Sequence, residues 1–353
     1  MENKVIKDRN YIFDILRIIA MMMVIIHHIV INDFGLQNAL NGLDTTLSNK
    51  QVIILTVINA FVVIGVNLFF LLSGYFRTKF SIKKIVGIVV EVYLVYGIVT
   101  FIGIMTNNVT YSIDELMNLL NPFNRYWFLA AYLGICIFSP LLNIILDKIQ
   151  KREAKVFIIC TLIFFSIISM KYDIFNMNGG YSLIWGIILY LFAGIIRKFN
   201  IKFNKGLLLF VLCALLNALN IIYIYLNRSS FDYNPWQLYR YNNIFVILQS
   251  IGLFIWINSL KLEIKNSKMI KIITFLATST LMTYLLHSTC WLTIFRRKPT
   301  EMMLSHGHFI LGLLLVPIYA FIIYFICSII SLLYKKTVQR LINYIFNRSY
   351  YEK

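Results

Sequence analysis

The sequence predicts an all-α fold, a polytopic integral membrane helical bundle of ten transmembrane helices with both termini in the cytoplasm. Three observations predict it. Of 353 residues, 59% are hydrophobic and only 14% charged, against roughly 45–50% and 25% in soluble globular domains. The apolar residues are gathered into ten runs, each near the ~20 residues that a hydrocarbon core about 30 Å thick requires. The basic residues between those runs alternate in abundance from loop to loop, as the positive-inside rule demands.

The runs fall at 11–32, 52–76, 84–105, 126–146, 155–171, 181–196, 207–226, 243–260, 272–295 and 308–334. The fifth and sixth are short. With the N-terminus inside, the cytoplasmic clusters are Lys4, Lys7 and Arg9; Arg77, Lys79, Lys83 and Lys84; Lys148, Lys151, Arg152 and Lys155; Arg197, Lys198, Lys202 and Lys205; and Lys261, Lys265, Lys268 and Lys271. The tail adds Lys335, Lys336, Arg340, Arg348 and Lys353, which makes 24 basic residues inside against 8 outside. Adding or dropping one span would scramble this alternation. No loop exceeds about 20 residues by this reading, so one transmembrane domain over 1–353 is expected.

Net charge is +18, from 33 basic and 15 acidic residues. A nucleic-acid binder would gather that charge on one solvated face, whereas here it is divided among short loops. The five cysteines, Cys136, Cys160, Cys213, Cys290 and Cys327, sit in apolar runs without metal-type spacing and read as packing residues. The N-terminal run ends at His27-His28-Ile29 with no small-residue cleavage site, so it reads as a retained span.

An ionisable side chain within a span costs roughly 2.5–3.5 kcal/mol on insertion scales, so each one asks for a reason. Span one carries Asp14, Arg17, His27 and His28. At 100° per residue, Arg17 and His28 differ by about 20° around the helix and Asp14 lies about 40° from His28. One stripe therefore holds an acid and a base near the cytoplasm and an imidazole about 16 Å further out. A buried Asp14–Arg17 pair that only locks the helix is the plain alternative. His27 lies off this line and is expected to pack or face a neighbouring helix. His287 is expected at a similar depth on span nine; Arg125 and Trp127 open span four and Arg240 opens span eight. Trp127 also suits an aromatic belt, Arg240 an interface anchor, and Glu91 in span three a helix-bundle ion pair.

These positions sort into two clusters. The inner one, Asp14, Arg17, Ser73, Arg77 and Glu91, is able to hold phosphates; the outer one, His28, Arg125, Trp127, Arg240 and His287, suits a polar neutral substrate. A reaction fed from both faces follows. Histidine is well matched to general-base work near neutral pH, so His28 takes a proton from an acceptor hydroxyl as that oxygen attacks an activated acyl group. Arg125 or His287 would steady the oxyanion. No GxSxG elbow, HExxH motif or nucleotide-binding glycine loop occurs, so no serine acyl-enzyme, metal or resident cofactor is expected. His306 and His308 read as a solvated loop pair.

Several stretches resemble the membrane acyltransferase-3 family, which includes bacterial surface-polysaccharide O-acetyltransferases. Arg17 and His28, with ten residues between, resemble its Arg-x10-His signature. Asn67–Phe76, NLFFLLSGYF, is similar to its FFxLSGYF segment; Tyr126-Trp127-Phe128-Leu129 followed by Ser139-Pro140-Leu141-Leu142 is similar to its WFL…PLL span. Leu189–Gly194 is similar to YFLLG, and Tyr284-Leu-Leu-His287 to YLxH. In that order they cover nearly the whole chain. The family's Arg-x-x-Arg after the Ser-Gly segment is not kept, because Arg77 is followed by Thr78, Lys79 and Phe80. The resemblance implies an acyl-CoA donor, usually acetyl-CoA, used from the cytoplasm. It implies a surface glycan or lipid-linked sugar as acceptor, His28 as the catalytic residue, Arg17 in donor binding and a place in the plasma membrane. The expected substrate-binding set is Arg17, Asp14, Arg77, Arg125, Trp127, Arg240 and His287. The polar stripe also allows a transporter or flippase of such sugars, and a purely structural subunit is a third reading.

Overall fold

In a computed structural model the chain is 81% helix, with no strand among the described residues. These are 10–351 apart from 44, 111, 170–172, 174 and 261–263. The basic positions Lys4, Lys7, Arg9, Lys171, Lys261 and Lys353, and the side chains of Arg348 and Cys290, lie outside them.

The helices in order are α1 Tyr11–His28, α2 Leu36–Asn41, α3 Asn49–Val62, α4 Gly65–Tyr75, α5 Ile82–Met105, α6 Ile113–Leu120, α7 Trp127–Lys148 and α8 Lys151–Thr161. There follow α9 Leu183–Lys198, α10 Gly206–Leu226, α11 Ile244–Ser259, α12 Ser267–Ala277, α13 Thr280–Leu286, α14 Cys290–Ser305, α15 Phe309–Lys336 and α16 Val338–Tyr351. Side-chain caps set many of the starts. Asn10 accepts from the Ile12 amide, Ser48 and Gln51 form a capping box, and Ser81 and Ser182 accept from Lys84 and Trp185, each satisfying an amide that the first turn leaves unpaired.

Seven helical stretches are long and apolar enough to cross a bilayer: Tyr11–Asp33, Asn49–Tyr75, Ile82–Met105, Trp127–Lys148, Gly206–Leu226, Pro235–Ser259 and Phe309–Phe346. An eighth forms if α12 and α13, bent by 44° at their junction, count as one. The chain is therefore a multi-pass, all-helical membrane protein. Two of the ten expected runs fall short of this length for visible reasons. The helix from Lys151 to Ile168 spends its first turn on Lys151, Arg152, Glu153 and Lys155 and finishes as a π-helix over Leu162–Ile168. Helix α9 has only 16 residues. The expected continuous run 272–295 is broken instead, where Thr278 and Ser279 return hydroxyl hydrogen bonds to the Phe275 carbonyl at 3.1 and 2.7 Å, a habit that bends helices. Of the described cysteine side chains, Cys136, Cys213 and Cys327 are buried and Cys160 is exposed.

Helix α1 sits in the middle of the bundle, packed against α3, α4, α11, α12, α13 and α15, and this puts its polar stripe inside protein. The closest crossing joins α4 to α9. A Cβ on Gly74 would lie 2.0 Å from the Tyr190 carbonyl oxygen, so only glycine lets these backbones meet, as small residues do between membrane helices. Gly74→Ala is expected to destabilise by about 1–3 kcal/mol, read as a lower midpoint of thermal unfolding in detergent. An unchanged midpoint would show that α4 and α9 can part at no cost.

Candidate active site

The N-terminal half of α1 opens into a cavity of about 840 Å³. Five basic residues from α1, the α4–α5 connection and the first turn of α5 line it: Arg17, Arg77, Lys79, Lys83 and Lys84. Ser73, Glu91, Phe128, Tyr132 and Tyr284 share the wall. Arg17 is held by its neighbour one turn back, with Nη1 2.5 Å from Asp14 Oδ1, and its guanidinium lies 5.4 Å from the centre of the Phe76 ring. Asp14 is buried and stands behind Arg17 rather than in the cavity wall. Arg77 donates to Asp147, and Lys84 donates to the Tyr132 hydroxyl at 2.6 Å. The cavity wall is thus strongly basic, with aromatic rings set among the cations.

Tyr284, in that wall, leads to a pair of imidazoles. The His287 ring lies 5.8 Å from Tyr284 and 4.8 Å from His28. His287 Nδ1 is 2.8 Å from the Tyr284 carbonyl and 3.1 Å from that of Thr283. Carbonyls only accept, so Nδ1 carries the hydrogen, and in the neutral ring Nε2 must be the acceptor. Its partner is His28 Nδ1 at 3.1 Å, which therefore donates. The chain of hydrogen bonds leaves Nε2 of His28 as the basic nitrogen. Through His287, two backbone carbonyls thus set the tautomer of a ring that lies 259 residues from it in sequence.

A buried ion pair holds the far side of this site. Arg296 contacts Asp33 through Nε–Oδ2 and through Nη2–Oδ1 at 3.0 Å, and donates from Nη1 to the His287 carbonyl at 3.4 Å. Asp33 closes the π-helix Ile29–Asp33 that continues α1, so the pair ties the two histidine-bearing segments together.

Beyond the pair, His27 begins a second pocket of about 250 Å³, lined also by Asn178, Asn234, Trp236, Gln237 and Arg240. The His27 ring is 5.7 Å from His28, and its Nδ1 is 2.6 Å from Asn59 Oδ1 on α3. Three imidazoles thus stand in a row between a basic cavity and a polar pocket.

Of the expected residues, Arg17, Ser73, Arg77 and Glu91 share one cavity, with Asp14 behind it, and His28 and His287 are in contact. The outer cluster does not form as expected. Arg125 points away to Glu115, 3.4 Å distant, because α6 folds back beside it. Trp127 packs 4.7 Å from Tyr181 and 5.7 Å from Tyr241, and Arg240 joins the second pocket instead. His287 caps the short α13 rather than lying within a long span. His27 does face the neighbouring α3, but it also lines that pocket. Sequence reasoning passed over Asn59, Trp236, Lys84 with Tyr132, and Arg296, which sits in the run Phe295-Arg296-Arg297-Lys298 and reads there as a loop charge. Asp33, an acid closing an otherwise apolar run, was the available signal. No group of three metal-ligating side chains occurs among the described residues.

A family model described as an acyltransferase domain matches residues 10–334. No curated protein and no solved structure matches the chain.

Proposed function

The chain belongs to the acyltransferase-3 family, and from that premise we propose that it moves an acyl group, acetyl in the simplest case, from acyl-CoA to a hydroxyl of a cell-surface glycan or lipid-linked sugar. The observation that carries this reading is the His28–His287 pair, set between a basic cavity and a polar pocket. The phosphates of CoA meet Arg17, Arg77, Lys79, Lys83 and Lys84, and the thioester reaches past Tyr284 towards His28. The acceptor enters by the second pocket. His28 Nε2 takes the hydroxyl proton as the oxygen attacks the thioester carbonyl; the carbon–sulfur bond then breaks, and the imidazolium returns the proton to the CoA thiolate. His287 holds the His28 tautomer and shares the charge that His28 acquires. Asp14 keeps Arg17 turned to the cavity.

In this reading the chain crosses the plasma membrane ten times with both termini inside. The short helices 151–168 and α9 complete the count, and the basic cavity faces the cytoplasm. The alternation of Lys and Arg among the loops supports this orientation.

The deciding experiment incubates purified protein with acetyl-CoA labelled in the acetyl group and a surface-glycan extract. Label should pass into glycan as free CoA appears. Movement of sugar across vesicles with no consumption of acyl-CoA would establish the transporter reading instead. Arg17→Ala is expected to raise KM for acyl-CoA by about tenfold or more, the worth of a charge-assisted phosphate contact, with a smaller change in kcat. Arg17→Lys restores charge without the bidentate fork and should recover only part of the loss. An unchanged KM in both variants would remove Arg17 from the donor site.

A further inference from the structure

The polar pocket on the far side of His28 is not neutral. Its rim is built by two short 3₁₀ segments, Asn178–Gly180 and Pro235–Tyr239, and His27 lies at its base. Arg240 crosses this rim. Its side chain lies along Gly179, where φ is +65° and an added Cβ would stand 2.9 Å from Arg240 Cγ; glycine there both makes the turn and leaves room for the arginine. Nearby Asp173 spends its carboxylate on the Met177 and Asn178 amides, both at 2.8 Å, which shapes the rim and leaves the acid facing away from the pocket lining.

The guanidinium of Arg240 makes no hydrogen bond or ion pair with a described residue, and the oxygens in its electrostatic range are the neutral phenols of Tyr181 and Tyr233. The other arginines that are not fully exposed, Arg17, Arg77, Arg228 and Arg296, each contact a carboxylate or carbonyl oxygen. No carboxylate lines the pocket. Arg240 is therefore a half-buried cation whose five donors find no acceptor among the described residues. Around it stand neutral groups with hydrogen-bonding capacity to spare: the Gln237 amide, the Asn178 amide and the Trp236 indole N–H, none bonded through its side chain to a described residue. The Trp236 ring lies at 14° to the His27 ring with centres 6.5 Å apart, so an apolar platform stands beside the imidazole row.

We infer that the second pocket takes a sugar bearing a negatively charged substituent, a carboxylate or a phosphate ester, with Arg240 as its partner and Trp236 as the platform for the ring. This rests on the reading that the pocket receives the acceptor, and it replaces a neutral acceptor with an acidic one. A planar guanidinium matches either anion through paired N–H donors. The amide and indole groups are left for ring hydroxyls, one of which is thereby turned towards the histidines.

Binding is measured on full-length protein in nanodiscs without acyl-CoA, by calorimetry with glucose, glucuronate and glucose 1-phosphate. One of the two anionic sugars should bind about tenfold or more tightly than glucose. Preference for glucuronate identifies a carboxylate as the recognised group, and preference for glucose 1-phosphate a phosphate. Arg240→Gln should erase the preference, and Arg240→Lys, which keeps the charge if the glutamine variant fails to fold, should retain part of it. Equal binding of the three sugars, binding of none, or an anionic preference that survives Arg240→Gln overturns the inference. Because no acyl donor is present, a protein that binds the acidic sugar yet acylates nothing leaves the pocket assignment standing and removes the transfer reading alone.

Discussion

Replacement of His28 by alanine is expected to lower acyl transfer by about 10²–10⁴-fold, the usual contribution of a positioned general base, with protein abundance and thermal midpoint near wild type. The asymmetry follows from the contacts. The His28 side chain makes one hydrogen bond, to His287, and that partner keeps its two backbone acceptors when His28 is gone. Little folding energy is lost, while the only nitrogen that the hydrogen-bond chain leaves basic disappears. His287→Ala should cost less, because it frees His28 to adopt either tautomer rather than removing the base. A loss confined to KM in His28→Ala would place the ring in binding alone. Full retention of label transfer would end its role as base.

Much of this site was legible because it lies on one helix. A single period of 3.6 residues sets Arg17 and His28 on the same side of α1 whatever surrounds them, and Arg17 duly lines the basic cavity while His28 stands at the other end of the stripe. The grouping of Arg77 and Ser73 with Arg17 was legible for a similar reason, since Ser73 lies near the C-terminal end of the second apolar run and Arg77 directly follows it. What the sequence does not expose is pairing across long separations. His28 meets His287 and Asp33 meets Arg296 through contacts 259 and 263 residues apart. Span alternation places Arg296 in an outer loop because it falls between the ninth and tenth apolar runs. The structure buries it because an acid waits at the end of α1. The continuity of the run 272–295 is misjudged for a related reason. Hydropathy sums composition along the chain, whereas the break at Thr278 and Ser279 comes from hydroxyls bonding back to their own helix, and that break is where the short α13, capped at its far end by His287, begins.

The Asp33–Arg296 pair yields the largest expected effect on stability. Its side chains are 0% and 2% exposed, so either charge left alone would be buried without a partner. Asp33→Asn or Arg296→Met should therefore destabilise by about 3–5 kcal/mol, the range for breaking a buried pair. The double change Asp33→Leu with Arg296→Met removes both charges and should recover most of that loss, since apolar replacement of a whole buried pair is often neutral or favourable. Thermal unfolding of the purified variants reads the cycle, and a coupling energy near zero would show that the two groups do not depend on each other. Activity separates the pair's two effects. Arg296 also donates to the His287 carbonyl, which no methionine can do, so the stable double variant should still transfer acyl groups more slowly than wild type. If its rate were wild-type, the ion pair would hold the π-helical extension of α1 to α14 without tuning the histidines, and the tautomer would rest on the Thr283 and Tyr284 carbonyls alone.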